Sequence, residues 1–236
     1  MLFEHVKLPE LQFDLQAQTT DSGRVYLTPS GKKYPSVTTV LSHYNSKAIA
    51  EWRERVGNEE ANKIAGRASR RGTKLHSVCE KYLLNEITEM KMHSMMPNIK
   101  ELFLKIKPYI DKNITKVYTL EQALYSDHLR IAGRVDCIAE WDGVLSVIDF
   151  KSSTKAKKKE SIGNYFMQCT AYAEMFYELT GTPIHQSVVL IGVEEEDGQV
   201  FIEKTSDYYV MLKEYIGRYY DKSERTQFIR ISESNL

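Results

Sequence analysis

The 236-residue chain carries 32 Lys+Arg against 32 Asp+Glu, so its net charge is zero and no global positive field advertises a polyanionic partner. At 42% hydrophobic and 27% charged residues the composition is that of an ordinary globular protein, which excludes disordered, fibrous and low-complexity classes. No run is long and apolar enough to span a bilayer, and three widely spaced cysteines (Cys79, Cys137 and Cys169) in apolar surroundings read as free core thiols of a reducing compartment.

A chain of this length can bury one proper core, here expected as a single domain over 1–236. Residues 1–112 should be mainly helical, and residues 113–236 should hold a sheet core and a C-terminal helix. Residues 1–23 show no periodicity and are expected as an arm. Residues 24–28 read as a short strand, 29–33 as its turn, and 35–44 as a short helix opened by Pro35-Ser36. Ser36 and Thr38 put hydroxyls at that helix start, which suits a plain N-cap or a bound phosphate. Residues 46–57 form a helix with Ile49 and Trp52 on its apolar side. Residues 59–85 form a longer one, interrupted at Gly66 and Gly72. Its apolar stripe holds Ile64, Ala68, Leu75, Cys79 and Tyr82, with His76 at the edge. Arg67, Arg70, Arg71 and Lys74 lie largely off that stripe and are most simply a solvated face. A bend at Gly72 would let Arg71 and Lys74 meet a polyanion. A further helix covers 97–112. Residues 116–125 alternate as a strand that includes Glu121.

Residues 131–151 organise the rest. Two apolar-rich runs flank Asp142-Gly143, the strongest short hairpin signal a sequence offers. With Trp141 opposite Val144, the ladder counts back to place Asp136 opposite Asp149, and strand periodicity puts Lys151 on the face of Asp149. Directly opposed residues have Cβ atoms about 4.5–5.5 Å apart, where like charges repel. Both faces of the hairpin are largely apolar (Val135, Cys137, Ala139, Trp141, Ile148 and Phe150 on one; Ile138, Leu145 and Val147 on the other), so it reads as buried central sheet. Carboxylates buried there need a partner or a divalent cation. The same register sets Arg134 opposite Lys151, a like-charge contact that Glu121 on a neighbouring strand would relieve.

Residues 152–160 are polar, with Ser152, Lys155, Lys157, Lys158 and Lys159. They read as a solvated loop or, by their place after the hairpin, as a phosphate-attracting rim. A helix over 161–180 is capped by Ser161 and closed by Gly181 and Pro183. On it Gln168 and Tyr172 stand one turn apart; alone they read as a surface glutamine beside a core tyrosine. A strand over 185–193, a second hairpin at Asp197-Gly198, a strand over 199–204 and a tyrosine-rich helix over 206–222 complete the chain.

Asp136 followed by Asp149-Phe150-Lys151 resembles the D…(D/E)-x-K core of the PD-(D/E)xK nuclease superfamily. Gln168-Cys169-Thr170-Ala171-Tyr172 is similar to the Q-x-x-x-Y motif of its RecB-type branch, and His76 to the histidine upstream in that branch. The likeness is nearest to the mitochondrial genome maintenance exonuclease family. It covers residues 35–41, 72–76, 133–153 and 168–172, and weakens toward the C-terminus. It implies an α/β, restriction-endonuclease-like fold with a central mixed sheet flanked by helices. It also implies a Mg²⁺- or Mn²⁺-dependent deoxyribonuclease with one or two ions held by His76, Asp136, Asp149 and the Phe150 carbonyl. Lys151 would activate water, and Gln168 and Tyr172 would position the strand. Glu121 resembles an upstream acidic position and is either an accessory ligand or the partner of Arg134. The implied substrate is single-stranded DNA cut from a free end. The rivals are a duplex-acting endonuclease or recombination nuclease of the same fold, and a non-cleaving DNA-binding module. Three cysteines are too few for the four-cysteine iron–sulfur cluster of some relatives. Residues 1–7 do not resemble a transit peptide, which suggests a cytoplasmic protein of a bacterium or a phage-infected cell. The residues leave open which replication or recombination proteins accompany it.

Overall fold

The structure is a computed structural model describing residues 2–42 and 44–233, with side chains at all of these except 89 and 222–233. The N-terminal residues are not an arm. β1 (Glu4–His5) joins the edge of the main sheet. β2 (Gln16–Thr20), β3 (Gly23–Leu27) and β4 (Lys33–Pro35) make a small antiparallel sheet. Leu15, just before β2, and Tyr26 and Tyr34 of this sheet bury against Ala123 and Ala132 of the main sheet. β2 is exposed along its whole length, so its sequence carries no buried face to read.

Five helices follow: α1 (Val37–Leu41), α2 (Ser46–Val56), α3 (Asn58–Leu83), α4 (Glu89–His93) and α5 (Pro97–Asn113). Pro97 opens α5 in its first turn, where a missing N–H costs nothing. α3 runs unbroken through Gly66 and Gly72, against the expected interruptions. Glycine costs a helix about 1 kcal/mol. Burial of Ala61, Leu75, Cys79 and Leu83 along α3 offsets that cost. At Gly72 a Cβ would lie 3.9 Å from the Ser152 hydroxyl, so α3 passes close to that residue of the main sheet.

β5 (Ile114–Ser126), β6 (Ile131–Trp141) and β7 (Val144–Ser153) form an antiparallel meander. α6 (Gly163–Thr180) crosses over to β8 (Gln186–Val193), which lies parallel to β7, and β9 (Gln199–Lys204) closes the edge. Ser161 does not cap α6; its hydroxyl donates to the Lys158 carbonyl, while Gly181 ends the helix in the left-handed conformation. α7 spans Ser206–Glu233, longer than expected. The order β1-β5-β6-β7-β8-β9 is a central mixed sheet flanked by helices. α6 and α7 pack on one face with Val147, Val189 and Ile191, while α3 and α5 pack on the other with Cys137, Trp141, Ile148 and Leu190. Among the described residues no helix is long and apolar enough to cross a membrane.

Candidate active site

The turn at Asp142-Gly143 has positive φ at both residues, +50° and +77°, as a two-residue hairpin loop of this kind requires. The register holds from Trp141–Val144 to Cys137–Ile148 and then stops. Asp136 and Asp149 are therefore not a closed ladder pair, contrary to the expected register. Pairing with β5 also steps over Glu121, whose φ is +45°. Three carboxylates on adjacent strands would stand abreast at this level, and like charges in that position destabilise a ladder. The strands part, and Asp136 Oδ2 accepts the Phe150 N–H at 2.9 Å. A strand residue's N–H and C=O face the same edge, so the Phe150 carbonyl also lies on the opened side. The break turns the strand. Val135 packs with the α6 face, whereas Cys137, Ala139 and Trp141 pack with the α3 face.

α3 delivers His76 into this opening. Its Nδ1 is 3.3 Å from Asp136 Oδ1 and 3.9 Å from Glu121 Oε1. From the other face, α6 places Gln168 Nε2 3.1 Å from Asp149 Oδ1, which also accepts from Lys151 Nζ. Asp149 is 2% exposed, and its Oδ2 has no partner. Tyr165 sets its ring 5.1 Å from Lys151 Nζ, at cation–π range. Tyr172 is buried against Gly133, where a Cβ would come within 2.8 Å of the phenol ring. Only glycine admits that approach. The resulting cleft, about 780 Å³, is bounded by β3, the residues around α1 and α2, α3, the opened sheet and α6.

Charges in the cleft are coupled. Burial, then the neighbouring Asp136, push Glu121 up to about 7. Burial, reinforced by Asp136 and only partly offset by Lys151, pushes Asp149 up to about 6. Asp136 is buried too, but the His76 contact, Lys151 and the Phe150 N–H bring it below the ordinary carboxylate value. Burial opposes the charge on His76 and on Lys151; the aspartates outweigh it and raise both.

The remaining expected residues are dispersed. Arg134 does not face Lys151. It bonds the Glu121 main-chain carbonyl and lies 3.3 Å from Asp14. The Glu121 carboxylate instead turns to His76 and Asp136. Ser36 and Thr38 do line the cleft, with the Ser36 hydroxyl spent as the N-cap, accepting the Thr39 N–H at 3.0 Å. Arg71 pairs with Glu194 at 2.8 Å and donates to Ser152 and Thr154. Lys74 is exposed, with Nζ 2.8 Å from Met96 Sδ. The run holding Lys155, Lys157, Lys158 and Lys159 does not line the cleft. It lies along β9 and the turn before it, where main-chain bonds to Glu196 and Gln199 and a Lys159–Glu203 pair at 2.5 Å hold it. Arg24, Arg134 and Lys151 are the cations lining the cleft among the described residues. Sequence reasoning missed Arg24, Glu80, Asn164 and Tyr165. Helical spacing from His76 points to Glu80, and spacing from Gln168 points to Tyr165; nothing local marks Arg24.

One ligand atom each from His76, Glu121 and Asp136 lie within 4.8 Å of one another. This oxygen-rich set with one imidazole suits a divalent cation, while the expected ligand Asp149 lies outside the set, buried with its Oδ2 unpartnered. The sequence of residues 38–229 matches the family model of the PD-(D/E)XK nuclease superfamily. The chain belongs to that superfamily. The chain is 27% identical over 173 residues to mitochondrial genome maintenance exonuclease 1 of Homo sapiens, covering 70% of this chain and 50% of that protein. The Mus musculus counterpart is 29% identical over 133 residues, covering 52% and 38%. The chain thus spans about half the length of the human relative and less of the murine one. A crystal structure from Eubacterium rectale, described provisionally as an exonuclease, aligns at TM-score 0.42 and 12% identity over 63% of this chain and 66% of that one.

Proposed function

We propose that this nuclease is a Mg²⁺- or Mn²⁺-dependent DNA exonuclease that takes single strands by a free end. The observation that carries the proposal is that His76, Glu121 and Asp136 meet in a cleft also lined by Lys151 and Gln168, both of which bond the buried Asp149. His76, Asp136, Asp149 and the Phe150 carbonyl, with Glu121, would hold the cation. When bound, it polarises the scissile phosphate and lowers the pKa of water. Asp149 and the Tyr165 ring hold the Lys151 ammonium in place, where it orients water and offsets negative charge developing on phosphate. Gln168 fixes Asp149 from behind. Arg24 and Arg134 offer phosphate contacts at the rim, and Tyr172 shapes the wall. The free-end requirement draws its support from enclosure: elements bound the cleft on several sides, and both curated relatives are named exonucleases. The deciding assay uses end-labelled linear and circular single strands and duplexes with Mg²⁺, Mn²⁺ or EDTA. Linear single strands should be degraded with metal and spared with EDTA, and circles should resist. Rapid cutting of circular single strands would replace the exonuclease reading with an endonuclease one. Binding without cleavage under every condition would leave only a DNA-binding module.

A further inference from the structure

The catalytic cleft carries as many carboxylates as cations: Glu80, Glu121 and Asp136 line it with Arg24, Arg134 and Lys151. A polyanion gains little by approaching such a surface, and the chain has no net charge to draw it in. On the opposite side of α3 the balance differs. A second cleft, about 620 Å³, is lined by Arg67, Arg70, Arg71 and Lys74 and by a single carboxylate, Glu194, which Arg71 already pairs. Arg67, Arg70 and Lys74 are exposed and make no ion pair among the described residues. They repeat at three- and four-residue steps, so they form one stripe of the helix. Another stripe of α3 gives Thr73, His76 and Glu80 to the catalytic cleft. The floor between α3 and α5 is partly apolar, with Met96 and Ile99. Thr154, three positions beyond Lys151, closes the inner end.

We infer that this second cleft is a strand-binding subsite that holds the phosphodiester backbone of single-stranded DNA beyond the cut. α3 is the divider between it and the catalytic cleft. A helix with its side chains is about 10–12 Å across, so a strand crossing it reaches the subsite within a few nucleotides. The three unpaired cations take phosphates, and the apolar floor accepts bases. The inference rests on the nuclease function proposed for the catalytic cleft, and the two can fail separately.

The test is a length series of fluorescein-labelled oligothymidylates, with affinity read by anisotropy in a Lys151→Ala background so that cleavage does not intervene. The parent should gain affinity with length once the strand passes α3. Arg67→Ala/Arg70→Ala should lose most of that gain, several-fold for long strands. Its salt-dependence slope should fall by about 1.4, at about 0.7 per phosphate contact on a single strand. Both side chains are exposed, so the double variant should melt with the parent. Arg67→Glu/Arg70→Glu should weaken long strands further. Unaltered affinity and slope at every length, or a parent that gains nothing with length, would overturn the subsite while leaving cleavage by the wild-type protein intact. Wild-type protein that neither binds nor cuts any strand would overturn both readings.

Discussion

Lys151 donates to the buried Asp149 carboxylate and lies over the Tyr165 ring, so its charge is positioned before any substrate arrives. Lys151→Ala removes that charge, and kcat should fall by about 10²–10³, the range for losing one preorganised group that stabilises developing charge. Mn²⁺ titration by calorimetry should still show binding, because His76, Glu121 and Asp136 are untouched. Parental kcat in this variant would take Lys151 out of the chemistry. Gly133 acts differently, through space it leaves open. A Cβ there would sit 2.8 Å from Tyr172 Cε1 and 2.9 Å from its hydroxyl. Gly133→Ala should destabilise by about 1–3 kcal/mol, the usual cost of overpacking, lowering Tm in a melting scan. Activity should drop as well, because the displaced phenol lines the cleft. The Asp149–Lys151 juxtaposition was legible in the sequence, since a period of two puts them on one face. The Gly133–Tyr172 contact joins β6 to α6, and no local pattern announces it.

At the scale of elements, α3 is the part that must be held in register with the sheet, because it carries His76 to Asp136. Arg71 provides the hold. Its side chain is 13% exposed and ties α3 to Ser152 and Thr154 on and just after β7 and to Glu194 beyond β8. Arg71→Ala should lower stability by roughly 1.5–3 kcal/mol, the range for hydrogen bonds to a charged group. A double-mutant cycle with Glu194→Ala should give a coupling on the order of 1 kcal/mol. Additive single effects would show that the pair ties nothing. The sequence suggested Arg71 as a nucleic-acid contact if the helix bent at Gly72. The helix runs unbroken because its buried stripe continues past both glycines, and the arginine turns to internal partners.

For the whole molecule, the raised carboxylates of the cleft region oppose folding as pH rises. Glu121, pushed up to about 7, and Asp149, pushed up to about 6, keep protons in the folded state that the unfolded chain releases near its ordinary carboxylate values. Between about pH 5 and 8 the native state therefore binds more protons, and stability declines with pH. His76, raised from 6.5, adds the same sign, since its contribution is present below its ordinary value and is lost as pH rises through the folded one. Asp136 is lowered, so its stabilising share disappears only in more acidic solution. Melting in EDTA should show Tm falling by several degrees from pH 5 to 8. Mn²⁺ should restore it at pH 8 by mass action, with about 2.7 kcal/mol expected at a hundred times the Kd. A flat EDTA profile, or equal Mn²⁺ stabilisation at pH 5 and 8, would contradict the stored carboxylate repulsion.

What the sequence by itself determined is what neighbouring residues decide. Asp142-Gly143 sets the hairpin and its register as far as Cys137–Ile148, because a two-residue loop with two positive φ angles leaves no other pairing. The helix between β7 and β8 and its stop at Gly181 follow from helical spacing and a left-handed cap. The tertiary structure alone decided where the ladder opens, which way Glu121 turns, and that the lysine run lies along β9 rather than at the cleft. These outcomes depend on charges brought together across strands and on which stripe of α3 meets the sheet. Periods of two and 3.6 residues describe one element at a time, so they carry no record of such long-range balances.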